Sequence, residues 1–194
     1  MTDQELARLQ ECAGQNDPEA LYRLAMLHIY GDGVPEDNDL AAALLLRAAR
    51  QGHAEAQYNL GICYHHGYGV AVDEAEAFRW YMVSARQGYA KAQALTGSCL
   101  QQGVGTAPDM AEALRWYHLA VQQNDPYAQY CLGRCCQHGE GVEQDMAEAL
   151  CWFRLSAAQD YPYTCQVLEA LSPGAGNAAG RPAKAPCQGR KTVL

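Results

Sequence analysis

The chain has 194 residues, 49% of them hydrophobic and 19% charged, with a formal net charge of −8 at pH 7. That balance suits one soluble domain with a tail, and no apolar run approaches the ~18–20 residues needed to span a bilayer. The acidity argues against nucleic acid, whose phosphates require a basic footprint, and is compatible with a partner that carries a basic segment.

Residues 1–16 begin Thr2-Asp3-Gln4-Glu5, with neither a basic n-region nor an apolar core, so no secretory signal is expected. Asp3 to Cys12 reads as a short polar helix whose character suits a terminal cap. From Asp17 the chain repeats itself. His53–Gly88 falls, after a shift of 36 residues and with no gap, on Tyr89–Asn124 and on Asp125–Asp160, and backwards on Asp17–Gly52. A fixed period of this size is the signature of a solenoid built from one supersecondary unit. The predicted organisation is a capping helix (1–16), four repeats (17–52, 53–88, 89–124, 125–160), a capping half-repeat (161–172) and a disordered basic tail (173–194).

Each unit reads as two helices. The first runs through Ala56 to Tyr64 in the second copy and stops at Gly67; Gly31, Gly103 and Gly139 repeat that stop, each with a second glycine two residues on. Asp37, Asp73, Asp109 and Asp145 then precede an Ala-rich apolar run and are expected to be N-caps. The second helix carries Ala41, Ala77, Ala113 and Ala149, then bulk at Leu44, Trp80, Trp116 and Trp152 and at Leu45, Tyr81, Tyr117 and Phe153. It closes at Gly52, Gly88, Asn124 and Asp160, and Pro18, Pro126 and Pro162 suit the first turn of the next helix. Small residues at Ala56 and Gly61, and at the equivalent positions, let helices approach closely, while the aromatics fill the layer between repeats. One unit cannot bury its apolar stripe alone; several stacked units can.

The run Ala56-Gln57-x-x-Leu60-Gly61-x-x-Tyr64-x-x-Gly67-x-Gly69-Val70-x-x-Asp73, with Ala77, Trp80-Tyr81, Ala85 and Gln87-Gly88, closely resembles the Sel1-like repeat, one of the tetratricopeptide-like α/α superhelices. The resemblance covers residues 17 to about 172. It implies an all-α, right-handed superhelical solenoid with first helices lining the concave wall and second helices outside. It also implies a non-catalytic adaptor or scaffold for a protein or peptide, in a family with many bacterial members. A regulatory adaptor, an assembly factor and a toxin-neutralising immunity protein are all compatible uses. The cysteine-rich relatives include β-lactam-binding and hydrolysing proteins, which supplies an enzymatic alternative, but their cysteine spacing does not occur here. The copies differ. The first has Ala25 for the glycine and Leu44-Leu45 for the aromatics, and the third has Thr96 at the leucine phase and Thr106 after its Gly-x-Gly.

Nine cysteines, an odd number, are expected to be thiols in a reducing compartment, and with no secretory signal a cytoplasmic location is expected. Cys63, Cys99 and Cys135 share a phase that Leu27 holds in the first copy, which marks an apolar core site. Cys131, Cys135 and His138 lie on one helical stripe and form the sharpest metal candidate. The core phase of Cys135 and the want of a fourth ligand argue against it, so no metal or cofactor is expected. Ser84, Ser98 and Ser156 occupy small-residue phases without the turn that exposes a nucleophile, and no enzymatic activity is expected.

The remaining candidate site is the inner groove, formed by first-helix positions outside the core and contact phases. The first repeat offers Tyr22, Arg23, Met26, Ile29 and Tyr30, and the second offers Tyr58, Asn59, Ile62, His65 and His66. The third offers Leu95, Ser98, Gln101 and Gln102, and the fourth Tyr127, Tyr130, Arg134, Gln137 and His138. Core phases look alike between copies, whereas this set varies, as suits a reader of an extended peptide or partner helix. Tyr and Arg are frequent interface anchors. The expected partner is a protein or peptide, without nucleic acid or membrane insertion, and the chain is expected to be a monomer or weak oligomer. The tail has no acid and holds Arg181, Lys184, Arg190 and Lys191, leaving 10 Lys and Arg against 22 Asp and Glu before it.

Overall fold

The computed structural model describes residues 2–171, so the expected tail lies outside the described residues. Among them are ten α-helices and no strand. The helices are α1 (Asp3–Gly14), α2 (Pro18–Tyr30), α3 (Asn38–Arg50), α4 (Ala54–His66), α5 (Glu74–Arg86), α6 (Ala90–Gln102), α7 (Met110–Gln122), α8 (Pro126–His138), α9 (Met146–Ala157) and α10 (Pro162–Leu171). The chain divides within α8 into two units, Met1–Ala128 and Gln129–Leu194.

The helix boundaries follow from local chemistry. Asp37, Asp73 and Asp109 each accept a hydrogen bond from the backbone N–H three residues on, and Asp145 accepts from Ala147 and Glu148. Each satisfies an orphan donor of the helix it opens, worth about 1 kcal/mol. First helices stop on a left-handed glycine, with φ of 66° at Gly31, 78° at Gly67 and 73° at Gly103. Second helices turn back through a left-handed residue at Gly52 and Gly88, and through Asn124 and Asp160 at the same phase.

Within the first unit, each helix from α1 to α7 packs on its neighbours in the chain. The seat of the second helix on the first is a glycine under an aromatic ring. A Cβ at Gly61 would collide with the edge of Tyr81, and one at Gly97 with Tyr117. Tyr81 and Tyr117 are almost wholly buried, and burial of such a side chain contributes roughly 2–3 kcal/mol. Tyr81 also reaches Cys99 of the following repeat, so one ring closes its own helix pair and fills the layer to the next.

Two further devices join repeats. In the second and third repeats the second glycine of the Gly-x-Gly, Gly69 or Gly105, presses its bare Cα onto the main chain at the start of the preceding repeat's second helix. A Cβ there would run into the carbonyl of Asn38 or of Glu74. Gly33, in the first repeat, has nothing within reach. The other device is a buried glutamine. Gln57 donates to the Ala49 carbonyl of the preceding repeat (2.9 Å) and accepts from Gln87 of its own (2.6 Å). Gln93 does the same with Ala85 (3.2 Å) and Gln123 (2.8 Å). A buried amide left unbonded would cost about 1–3 kcal/mol, so both ends are matched. The first repeat places Leu21 at this phase.

The second unit repeats the pattern in α9 and α10 and the greater part of α8. A Cβ at Gly133 would meet the ring of Phe153, which is fully buried with Cys136 and Ala149. Gln159 donates to Gln129 (2.9 Å), and Ser156 and Thr164 share a buried hydroxyl–hydroxyl bond of 2.8 Å that ties α9 to α10. Val167, Leu168 and Leu171 cover this small core.

Candidate functional site

In the first unit, the first-helix positions of successive repeats form one face on α2, α4 and α6. Ile62, His65 and His66 of α4, Leu95, Ser98 and Gln102 of α6, and Tyr127 at the start of α8 line a cavity of about 270 Å³. Tyr81 and Cys99 line it as well. The serine is a polar hub: its Oγ accepts from the Tyr127 hydroxyl (2.9 Å) and from Gln102 Nε2 (3.0 Å). The imidazole of His66 packs edge-on against His65 and stacks with Tyr68, which is half exposed. Burial pushes the Cys99 thiol up to about 11, followed by a smaller push from the Glu74 carboxylate. It is therefore protonated at neutral pH and a poor nucleophile.

Beside the cavity runs a row of aromatic pairs. Tyr22 stacks on His53 at 4.8 Å between ring centroids, and Tyr58 meets Tyr89 edge-on at 5.3 Å. In both pairs a residue in the body of one first helix touches the N-cap of the next. His53 still caps: its Nδ1 accepts from the Ala56 N–H (3.2 Å), which places the ring proton on Nε2 to donate to Glu19 (3.0 Å). Tyr89 makes no capping bond at all, leaving α6 without a stabilisation of about 1 kcal/mol. Burial raises the Tyr89 hydroxyl pKa to about 12, and the carboxylate of Glu55 adds to this. Tyr22 and Tyr58 are also raised, chiefly by burial. In the third repeat the row changes character, with Ala94 in place of the tyrosine and Asp125 as the N-cap. Asp125 is buried, and desolvation raises its carboxyl pKa despite hydrogen bonds from the Ala128 and Tyr127 N–H groups and the field of Lys91.

Other candidates lie elsewhere. Asn59 is tied to the Glu55 carbonyl (2.8 Å). Gln101 accepts from the Tyr117 hydroxyl (2.7 Å). Ile29 packs on the first repeat's core, Met26 is partly buried and Tyr30 projects into solvent. Arg23 belongs to an open cleft of about 710 Å³ beside α1, with Glu5, Arg8, Asp17 and Asp32. In the second unit Tyr130 sits among Phe153, Tyr161 and Tyr163, at 5.6 to 6.5 Å between centroids. Arg134 and His138 are exposed there, and the Gln137 carbonyl accepts from Gln144. Cys131 and Cys135 are buried whereas His138 is exposed, and no group of three metal-ligating side chains occurs among the described residues.

Tyr89, Glu55 and His53 are missing from the sequence-derived groove. The signal for them was present: positions 17, 53, 89, 125 and 161 read Asp, His, Tyr, Asp and Tyr. A tyrosine where the helix needs a cap breaks a local rule, and such breaks gather at working sites.

The Sel1 repeat family matches residues 18–53, 54–89, 90–125 and 126–161. Among solved structures, a protective antigen of uropathogenic Escherichia coli with an SLR fold is similar to this chain at 31% identity and a TM-score of 0.78, over 86% of this chain and 36% of that one. A Sel1 repeat protein of Oxalobacter formigenes is similar at 33% identity and a TM-score of 0.75, over 80% and 62%. One from Klebsiella pneumoniae is similar at 26% identity and a TM-score of 0.54, over 84% and 81%. The chain thus spans about a third and three-fifths of the first two relatives. No curated protein matches the chain, and no helix among the described residues is long and apolar enough to cross a membrane. Four consecutive matches on the same helix pairs, with caps, stops and glycine seats in phase, place this chain in the Sel1 repeat family.

Proposed function

We propose that the α2–α4–α6 face of the first unit is a non-catalytic binding surface that holds an extended segment of a partner protein. The observation that carries this reading is Tyr89. It stands where α6 needs a cap, forgoes the capping bond, and sets its ring against Tyr58 on the same face. Half-buried aromatic rings with polar tips are the usual anchors of protein interfaces. The adjoining cavity, with the Ser98 hub at one wall, has room for a single anchoring side chain. A basic segment suits the net charge of −8. The Sel1 fold, generally a protein-interaction fold, supports the same reading.

The test is selection of peptides from a phage-displayed random dodecapeptide library on the intact chain, followed by affinity measurement on Tyr89→Asn. Asparagine restores the cap, so the variant is expected to melt at or near the wild-type temperature. Its affinity for the selected peptides is expected to fall about tenfold or more, the scale of an aromatic hot spot. Equal affinity on wild type and variant would move the site off this face.

A further inference from the structure

The face contains an internal control, because the same pair of positions recurs at each junction between first helices. At the first junction Glu19 meets His53, Oε2 to Nε2, at 3.0 Å. At the third, Lys91 stands opposite Asp125 and its positive charge acts on that carboxylate. Each of these junctions sets a carboxylate against a basic group. The middle junction does not. There Glu55 stands opposite Tyr89, and its carboxylate has no hydrogen bond or ion pair among the described residues. It is partly buried, and its charge is felt by the hydroxyls of both Tyr22 and Tyr89. The Tyr89 ring in turn meets Tyr58 edge to face.

We infer that Glu55, with Tyr22 and Tyr89 beside it, receives a cationic side chain of the bound segment, arginine by preference. The inference rests on the reading of this face as a peptide site and names the chemistry of its occupant. A carboxylate beside aromatic faces offers a cation both an ion pair and a ring quadrupole. A guanidinium is planar and weakly hydrated, so it stacks on tyrosine at less desolvation cost than an ammonium does. The incoming cation would do for Glu55 what His53 does for Glu19 and Lys91 for Asp125.

Peptides selected as above are expected to share a basic residue at one position. Replacing it with neutral citrulline should weaken binding about tenfold, as should Glu55→Gln in the protein. Glu76→Gln, which removes a carboxylate paired with Arg79 on α5, should change affinity less than about twofold. Selection repeated on Glu55→Lys should no longer favour the basic residue. Selected peptides without a recurrent basic residue, or with equal affinity for Glu55→Gln, would overturn the cation site and leave the binding face standing. No enriched peptide at all would overturn both. The citrulline exchange uses only wild-type protein, so the test survives a misfolded Glu55 variant.

Discussion

The first repeat and those that follow solve the same packing problem with different pairs. In α2 and α3 the seat is Ala25 under Leu45, both fully buried; in α4 and α5 it is Gly61 under Tyr81. One methyl more on the first helix is matched by a smaller side chain on the second, so the shared volume is conserved while its division changes. The first repeat also lacks the connecting devices. Leu21 replaces the bridging glutamine, and Gly33 touches nothing where Gly69 meets a main chain. The difference teaches which residues make a helix pair and which make a stack. Glycine-plus-aromatic and alanine-plus-leucine are alternatives for the pair. The glutamine bridge and the main-chain contact of the second glycine appear at Gln57 and Gly69 and at Gln93 and Gly105, where a full repeat precedes.

The largest expected effect tests the stack. Gly69→Ala should destabilise the chain by more than about 3 kcal/mol, because a Cβ must displace main chain rather than a side chain. Gly33→Ala, with a similar positive φ but open space, should cost only about 1 kcal/mol. Equal losses in chemical denaturation would mean that the close approach carries no energy. A middling effect tests the pair. Gly61→Ala and Tyr81→Leu should each cost about 2 kcal/mol, and the double variant should recover at least about 1 kcal/mol of their sum by copying the first repeat. Strict additivity would show that the two seats are not interchangeable.

The smallest effect compares two N-caps of one phase, exposed Asp17 on α2 and buried Asp125 on α8. Burial raises the carboxyl pKa of Asp125 in the folded state. A raised carboxyl favours the protonated form, so its charge weakens the fold above the folded pKa, and this penalty disappears below the unfolded value near 4. Asp125→Asn keeps a capping oxygen and removes the charge. It should raise the melting temperature at pH 7 and lose that advantage as pH falls towards about 4. Asp17→Asn should show no comparable gain.

Much of this architecture was legible in the sequence because its signals are local. Asp73 before an alanine-rich run and Gly67 after an apolar one announce a helix start and stop without reference to the rest of the fold. The thiols at Cys63, Cys99 and Cys135 could be placed in the core from their shared phase with Leu27, and burial does hold them. Gln57 and Gly69 were visible as recurrent letters, yet their part in joining repeats was not, since what each meets in the neighbouring repeat is main chain, which leaves no trace in side-chain identity. The face was partly legible. Ile62, His65, His66, Gln102 and Tyr127 do gather around one cavity. Glu55 and Tyr89 escaped because both fall at the edge of a helix, where a periodic reading counts residues as boundary rather than surface.

The contact at Gly69 and Gly105 has a consequence for how such a chain can change over generations. The surface that each glycine meets is main chain, which every residue supplies in the same form. A joint of that kind asks nothing of the neighbour's side chains. At this contact a duplicated unit of 36 residues would therefore need no compensating substitutions next door. Gain or loss of a whole repeat is then a smaller perturbation than the addition of one methyl group at the joint itself.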